Sequence, residues 1–484
     1  MILPALVPAP ISFPHLLQDP ASFHSSDLTQ ANAARARVRT VLKATKKDTL
    51  SDERGADWAG AARAIAEYLP HLYAILACVE ADDLLLRTDP VFAWRASLSS
   101  QSLKKGKKRI PLPSLHYELT ATLLSYALCL SNQASTLVTA LGSYEISSSV
   151  SSTAIKVHDE TINQAAETLC RASGVLMHLA EVVIPRWEAA VGAEALRLRP
   201  LEASREVATA LAKMSLADAN LLAIRRLLSR SLSLAHSTTT PGPPLPPGHP
   251  SPSLLAKLHL QVYTLYDEAR SLVKSLSSSS AYVGEISPLL RRYLSDGRSL
   301  SLALSYKWLG VDNGERNETG TAIGYLQLAR KELEELEGKS KGLGKLKGFA
   351  KGGKAGKGRK GKVQEELEST EAFASAYRKV NDSVHFQPIP SAQTLQPLLP
   401  SGRAALTLKP YTPLPPAFRP RTTSGLGPSS IPPPPPRRAS ELEGSLAGLS
   451  LGAVGGGGED SSDEDASDDE GGQVGDYFGA GQYF

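Results

Sequence analysis

Apolar residues recur at 4-3-4-3 spacing along much of the chain, the period of a helix that buries one face. In "YELTATLLSYALCLSNQASTLVTAL" the stripe runs through Thr120, Leu123, Ala127, Leu130, Ala134, Leu137 and Leu141. In "INQAAETLCRASGVLMHLAEVV" it runs through Ile162, Ala165, Leu169, Ala172, Leu176, Leu179 and Val183. A third segment carries Val207, Leu211, Met214, Ala217, Leu221 and Leu228, and a fourth Leu258, Val262, Leu265, Ala269, Leu272 and Leu276. Alanine recurs within the stripes, so neighbouring helices can approach closely. Upstream, "LTQANAARARVRTVLKA" reads as a helix with Ser26 or Asp27 as N-cap, and the run through "AIAEYLPHLYAILACVE" as one that Pro70 kinks or divides. Residues 1–25, punctuated by five prolines, read as irregular or short extended structure.

Late in the chain, "SYKWLGVDNGER" predicts a helix and then a turn at Asp312-Asn313-Gly314, followed by a helix striped by Ala322, Leu326, Ala329, Leu333 and Leu336. "VQEELESTEAFASAYRKV" is helical again and leads into "NDSVHFQPIP". There Asn381-Asp382 is turn chemistry, and Pro388 and Pro390 hold Gln387 and Ile389 extended.

Two stretches interrupt this pattern. Residues 237–252 hold seven prolines and read as an exposed insertion. Residues 338–362 hold ten basic residues and no acidic one, the composition of a disordered basic loop. Lys351, Lys354, Lys357, Arg359, Lys360 and Lys362 in it could attract an anionic membrane surface, an acidic partner or the chain's own acidic tail, or be a solvated loop. Residues 1–400 thus read as one helical domain. Residues 401–484 read as a disordered tail with "IPPPPPRR", a spacer or a polyproline II ligand, and "EDSSDEDASDDE", where Ser461, Ser462 and Ser467 suit acidophilic kinases.

Composition narrows the class. A net charge of +4 over 484 residues gives no general nucleic-acid binder. Cys78, Cys129 and Cys170 are too few and too dispersed for a disulfide framework or a zinc motif, and read as buried free thiols. The proline-broken N-terminus lacks a secretory pattern, and no uninterrupted apolar run reaches the roughly 18–20 residues a spanning helix needs. The expectation is a soluble cytosolic protein.

Chemistry is sparse. Gly348–Lys354 and Gly356–Lys362 spell GxxxxGK, but Ala355 and Val363 stand where magnesium binding needs Ser or Thr, and no strand precedes either. The histidines show no metal-ligand spacing, and no nucleophile motif appears. Neither a catalytic residue nor a cofactor is expected.

Three stretches, in order, resemble BRO1 domains: "YELTATLLSYALCLSNQASTLV", "GERNETGTAIGYLQLARKELEEL" and "KVNDSVHFQPIPS". The resemblance covers roughly residues 1–400. It implies a mostly α fold, a boomerang-shaped solenoid of tetratricopeptide-like helix pairs with a small N-terminal β element. The near-direct passage from domain to tail is similar to the BRO1-only component of fungal ambient alkaline-pH signalling. That likeness implies a non-enzymatic adaptor that binds the C-terminal helix of an ESCRT-III subunit, meets other pH-signalling components and promotes proteolytic activation of the PacC transcription factor. Recruitment to endosomes or the cell cortex would follow; a general endosomal-sorting scaffold is the alternative. The family's partner patch carries over to Leu211, Met214 and Asp218 in "LAKMSLADANLLAI", although Leu211 and Met214 also read as inter-helix core.

Overall fold

A computed structural model describes residues 2–3, 6–51, 56–96, 98, 109–142, 144, 152–196, 199–235, 242–246, 248–276, 285–343 and 354–421. A one-turn helix α1 (Phe13–Leu16) precedes the helices α2 (Ser25–Ser51) and α3 (Trp58–Glu80). Next come α4 (Leu115–Leu141), α5 (Ser152–His178), α6 (Ile184–Leu196) and α7 (Arg205–Ala235). The series ends with α8 (Pro252–Leu276), α9 (Pro288–Glu315), α10 (Thr319–Leu343), α11 (Lys354–Val380) and the short α12 (Ala392–Leu395). From α1 to α5 and from α7 to α11 each helix packs on the next, α5 packs directly on α7, and α12 packs on α10.

The β content is small and N-terminal, as expected. Strand β1 (Leu17–Gln18) pairs antiparallel with β2 (Leu85–Leu86), and β3 (Val91–Arg95) with β4 (Arg109–Pro113). Pro8 bridges to Trp94, so the N-terminal segment borders the second sheet.

The apolar stripes are the core. Ile162 through Val183, Val207 through Leu228 and Ala322 through Leu336 are buried at every stripe position named above. Two helices, Thr153–Val191 and Arg205–Ser229, are long and apolar enough to cross a membrane, but 67% and 78% of their most apolar windows are buried against other helices. Continuity across the π-helical turn Leu179–Val183 joins α5 and α6 into the first of these.

Several boundaries differ from expectation. Pro70 neither ends nor divides α3. Asp312, Asn313 and Gly314 are helical, and the turn falls at Asn317, whose φ is +65°. Gly314 serves packing instead: a Cβ there would lie 2.2 Å from the Tyr377 ring. The basic stretch 338–362 is not all loop, since α10 continues to Leu343 and α11 begins at Lys354. In the Pro-rich insertion, Leu245 packs against the core and His249 lies 5.1 Å, ring to ring, from Trp308. Residues 403–418, placed in the tail by the sequence reading, lie along the helices, in contacts set out below.

The stretch "NDSVHFQPIP" ends α11 in a π-helical turn, Asn381–His385. Phe386 is left-handed (φ +52°), and residues 387–390 carry no regular secondary structure. Asn381 anchors the turn: its Oδ1 accepts from Thr319 Oγ1 at 2.6 Å and from the Gln387 N–H at 3.0 Å, while its Nδ2 donates to the Gln387 carbonyl at 3.0 Å.

Candidate functional site

The candidate partner patch sits on α7. Leu211 and Met214 are 1% and 2% exposed, within the main core, so they are inter-helix packing and not a surface. The helical period explains this placement. A stripe facing the neighbouring helices and a stripe facing a partner have the same spacing, and on α7 the expected one faces inward.

Asp218 is half-buried and joins three helices. Its carboxylate accepts from the Tyr266 hydroxyl of α8 and, at 2.9 and 3.0 Å, from the Tyr293 hydroxyl of α9. Burial, and then the Asp218 charge, push the Tyr266 hydroxyl far above its ordinary pKa, which keeps it a donor. Gly297 of α9 makes room for that ring, since a Cβ would lie 2.9 Å from it. Asp218 is therefore a latch between helices.

Lys213 and Leu216 of α7, three residues apart on one face, are both half-buried, and Leu216 packs against the edges of two core clusters. Lys213 Nζ meets Glu268 Oε2 of α8 at 2.5 Å, with side chains 30% and 47% exposed. Nearby on α8 and α9, Arg298 Nε donates to Asp267 Oδ1 at 2.5 Å, and its guanidinium stands 5.0 Å over the Tyr263 ring. This face combines a half-buried leucine with a rim of exchangeable ion pairs, each weak enough in water to be displaced.

The C-terminal strap occupies the continuation of that face. The Arg403 N–H donates to the Lys257 carbonyl of α8 at 2.9 Å. Asn220 of α7 then acts as a peptide mimic: Oδ1 accepts from the Ala405 and Leu406 N–H groups at 2.9 and 3.0 Å, and Nδ2 donates to the Leu406 carbonyl at 3.2 Å. On α5 the Lys409 N–H donates to the Cys170 carbonyl at 3.1 Å, and Lys409 Nζ lies 3.2 Å from Glu167. Tyr411 meets His178 at 5.1 Å, the Ala417 N–H donates to the Pro70 carbonyl of α3 at 3.0 Å, and Phe418 lies 5.2 Å from the His24 ring. The strap thus crosses α8, α7, α5 and α3 in turn, and no sequence signal pointed to it.

Of the basic residues singled out, Lys351 lies outside the described residues. Lys354, Lys357, Arg359 and Lys360 fall in the first turns of α11, and Lys362 is half-buried there. Ser461, Ser462 and Ser467 also lie outside the described residues.

The family model for the BRO1-like domain matches residues 15–414, a span that takes in most of the strap. The chain is 37% identical over 453 residues to the pH-response regulator protein palC of Cryptococcus neoformans var. neoformans serotype D (strain B-3501A), covering 85% of this chain and 91% of that one. Its fold is similar to that of ALIX BRO1 in the ALIX BRO1 CHMP4C complex, with a TM-score of 0.56 at 15% identity, covering 87% of this chain and 98% of that one. A structure described as the basis for endosomal targeting by the Bro1 domain gives a TM-score of 0.51 at 13% identity, covering 85% and 92%. The match over most of the sequence and the shared helical fold together make this chain a member of the BRO1-like domain family.

Proposed function

We propose that the chain is a non-enzymatic adaptor in fungal ambient alkaline-pH signalling. It binds the C-terminal helix of an ESCRT-III subunit and thereby promotes proteolytic activation of the PacC transcription factor beside other pathway components. The observation that carries this reading is the 37% identity to a pH-response regulator along nearly the whole of both chains. Partner binding draws support from the fold neighbour solved in complex with CHMP4C, and endosomal recruitment from the neighbour solved for endosomal targeting.

The partner helix docks along α7, with the exposed part of half-buried Leu216 as apolar contact and the Lys213–Glu268 rim as its polar border. Lys354, Lys357, Arg359, Lys360 and Lys362 near the start of α11 add a salt-sensitive attraction to an anionic membrane or acidic partner. The test pairs two readouts. The full chain is titrated against a fluorescent peptide of the ESCRT-III C-terminal helix, with Leu216→Asp alongside. The same variants are then scored for PacC processing at alkaline pH in cells lacking the native protein. Binding without any effect on processing would favour a general endosomal-sorting scaffold; no binding by folded protein would remove the ESCRT-III reading.

A further inference from the structure

His24, Cys78 and Asp83 are all buried, and their donor atoms lie within 4.8 Å of one another. They come from the start of α2, the end of α3 and the turn after it, so no local spacing betrays them. Backbone geometry builds the group. Asp82 is left-handed (φ +56°), and the turn it makes lets the Asp83 and Leu84 N–H groups both donate to the Cys78 carbonyl, at 2.9 and 3.2 Å. That folds Asp83 back over the end of its own helix. On the other side, Ser22 is also left-handed, and the His24 N–H donates to Asp19 Oδ2 at 2.7 Å.

The imidazole stands between two carboxylates. Its Nδ1 is 3.4 Å from Asp27 Oδ2, and its Nε2 is 2.8 Å from Asp83 Oδ2. A single ring proton serves only one of them. On Nε2 the proton is donated to Asp83 at 2.8 Å; moved to Nδ1 it faces Asp27 at 3.4 Å and leaves Nε2 free to take a metal, the arrangement of metal-bound histidines. A positive centre between Nε2 and Asp83 then binds both. An extra proton would do this for the nitrogen and oxygen, but it gives no role to the sulfur that completes the triangle.

We propose that His24 Nε2, Cys78 Sγ and Asp83 bind one zinc ion, with water in the fourth position. Sulfur, nitrogen and oxygen donors in a tetrahedral set suit zinc, with bonds of about 2.0–2.3 Å. Ligand atoms around such an ion stand about 3.4 Å apart, so the 2.8 Å His24–Asp83 contact opens by roughly half an ångström, within reach of a side-chain rotation. On binding, the Cys78 thiol loses its proton to solvent and the thiolate takes its place on the metal. Because binding releases that proton, zinc binding weakens as pH falls. Phe418 covers the His24 ring at 5.2 Å, so the ion staples the start of α2 to the end of α3 beneath the last residues of the strap.

The experiment uses the purified full chain after chelator treatment and titrates it with cobalt(II), then zinc. The expected result is one equivalent of cobalt giving a thiolate-to-metal charge-transfer band and tetrahedral d–d absorption, both displaced by one equivalent of zinc, with a higher thermal midpoint. Cys78→Ser abolishes the charge-transfer band, and Asp83→Asn keeps it while weakening zinc at least about tenfold. Circular dichroism confirms that both variants are folded. Absence of stoichiometric cobalt binding by the native chain overturns the proposal. A charge-transfer band that survives Cys78→Ser, and so arises at Cys129 or Cys170, overturns it equally.

Discussion

Glu118 and Arg35 form a buried ion pair at the N-terminal end of the helical domain: Arg35 Nε donates to Glu118 Oε1 at 2.7 Å, and the side chains are 3% and 0% exposed. Tyr68 donates to the same oxygen at 3.1 Å, Trp94 Nε1 donates to Oε2 at 2.6 Å, and Arg35 also reaches the Ala9 carbonyl at 2.7 Å. One carboxylate therefore ties α2, α3, β3 and the N-terminal segment to α4. The pair need not beat an apolar replacement, but breaking it leaves a buried charge alone. Glu118→Ala should lower stability by about 3–5 kcal/mol, read from the urea midpoint. Arg35→Met with Glu118→Leu together should cost much less than the sum of the singles; additive losses would show that the two residues do not act as a pair.

How much of this was legible beforehand depends on the kind of signal. Burial of Ile162, Val207 or Ala322 followed from period alone, because a helix face repeats every 3.6 residues. The placement of the patch on α7 did not, since periodicity cannot say that Leu211 and Met214 are fully enclosed while Leu216 is only half-buried. Gly314 read as a turn residue because small size and conformational freedom leave the same letter, and its use was to admit the Tyr377 ring. The strap was invisible for a further reason. Proline-rich composition predicts no core, and residues 403–417 are fixed largely by backbone hydrogen bonds to partners distant in sequence, such as Asn220 and Cys170. Glu118 and the His24 group depend on that same kind of long-range meeting.

At Gly174 the strap's backbone lies directly against α5: a Cβ there would lie 1.7 Å from the Lys409 carbonyl oxygen. Backbone on both sides leaves no flexible end to yield. Gly174→Ala should therefore lift residues 405–411 off α5 while leaving α5 itself intact. Asn220→Ala should loosen the same segment by removing three strap hydrogen bonds, at about 1–3 kcal/mol. Hydrogen exchange is the readout. The Lys409 amide should exchange markedly faster in both variants, with α9–α10 amides unchanged. Unchanged exchange at Lys409 would mean the strap is not held there.

The α7 register makes a prediction that separates packing from binding. Met214→Ala should cost about 2–5 kcal/mol of stability, because it empties core space. Peptide affinity per folded molecule should stay unchanged. Leu216→Asp, at a half-buried position beside two core clusters, should lower stability too, but should weaken ESCRT-III peptide binding per folded molecule at least about tenfold, as expected for losing an apolar anchor. Weakened binding by folded Met214→Ala would return the patch to the inward stripe.

His259 governs part of the pH response of stability. It is fully buried in α8, and burial, assisted by the Lys307 charge, pulls its pKa from 6.5 down to about 3. Lys307 is itself held by Glu366 of α11 at 2.6 Å. The unfolded chain protonates this ring below about pH 6.5, whereas the folded chain holds it neutral to about pH 3. Between those values the unfolded state binds more protons, so stability rises with pH. It is complete above the unfolded value and is lost on acidification at about 1.4 kcal/mol per pH unit. Burial lowers His71, His116, His178 and His249 as well, and each adds to the same slope. Urea midpoints measured from about pH 7 to pH 5 should fall steadily in the native protein. His259→Gln, which cannot take up the proton, should show a shallower fall, smaller by about 2 kcal/mol at pH 5. Parallel curves for the two proteins would mean that His259 is not held neutral by the fold.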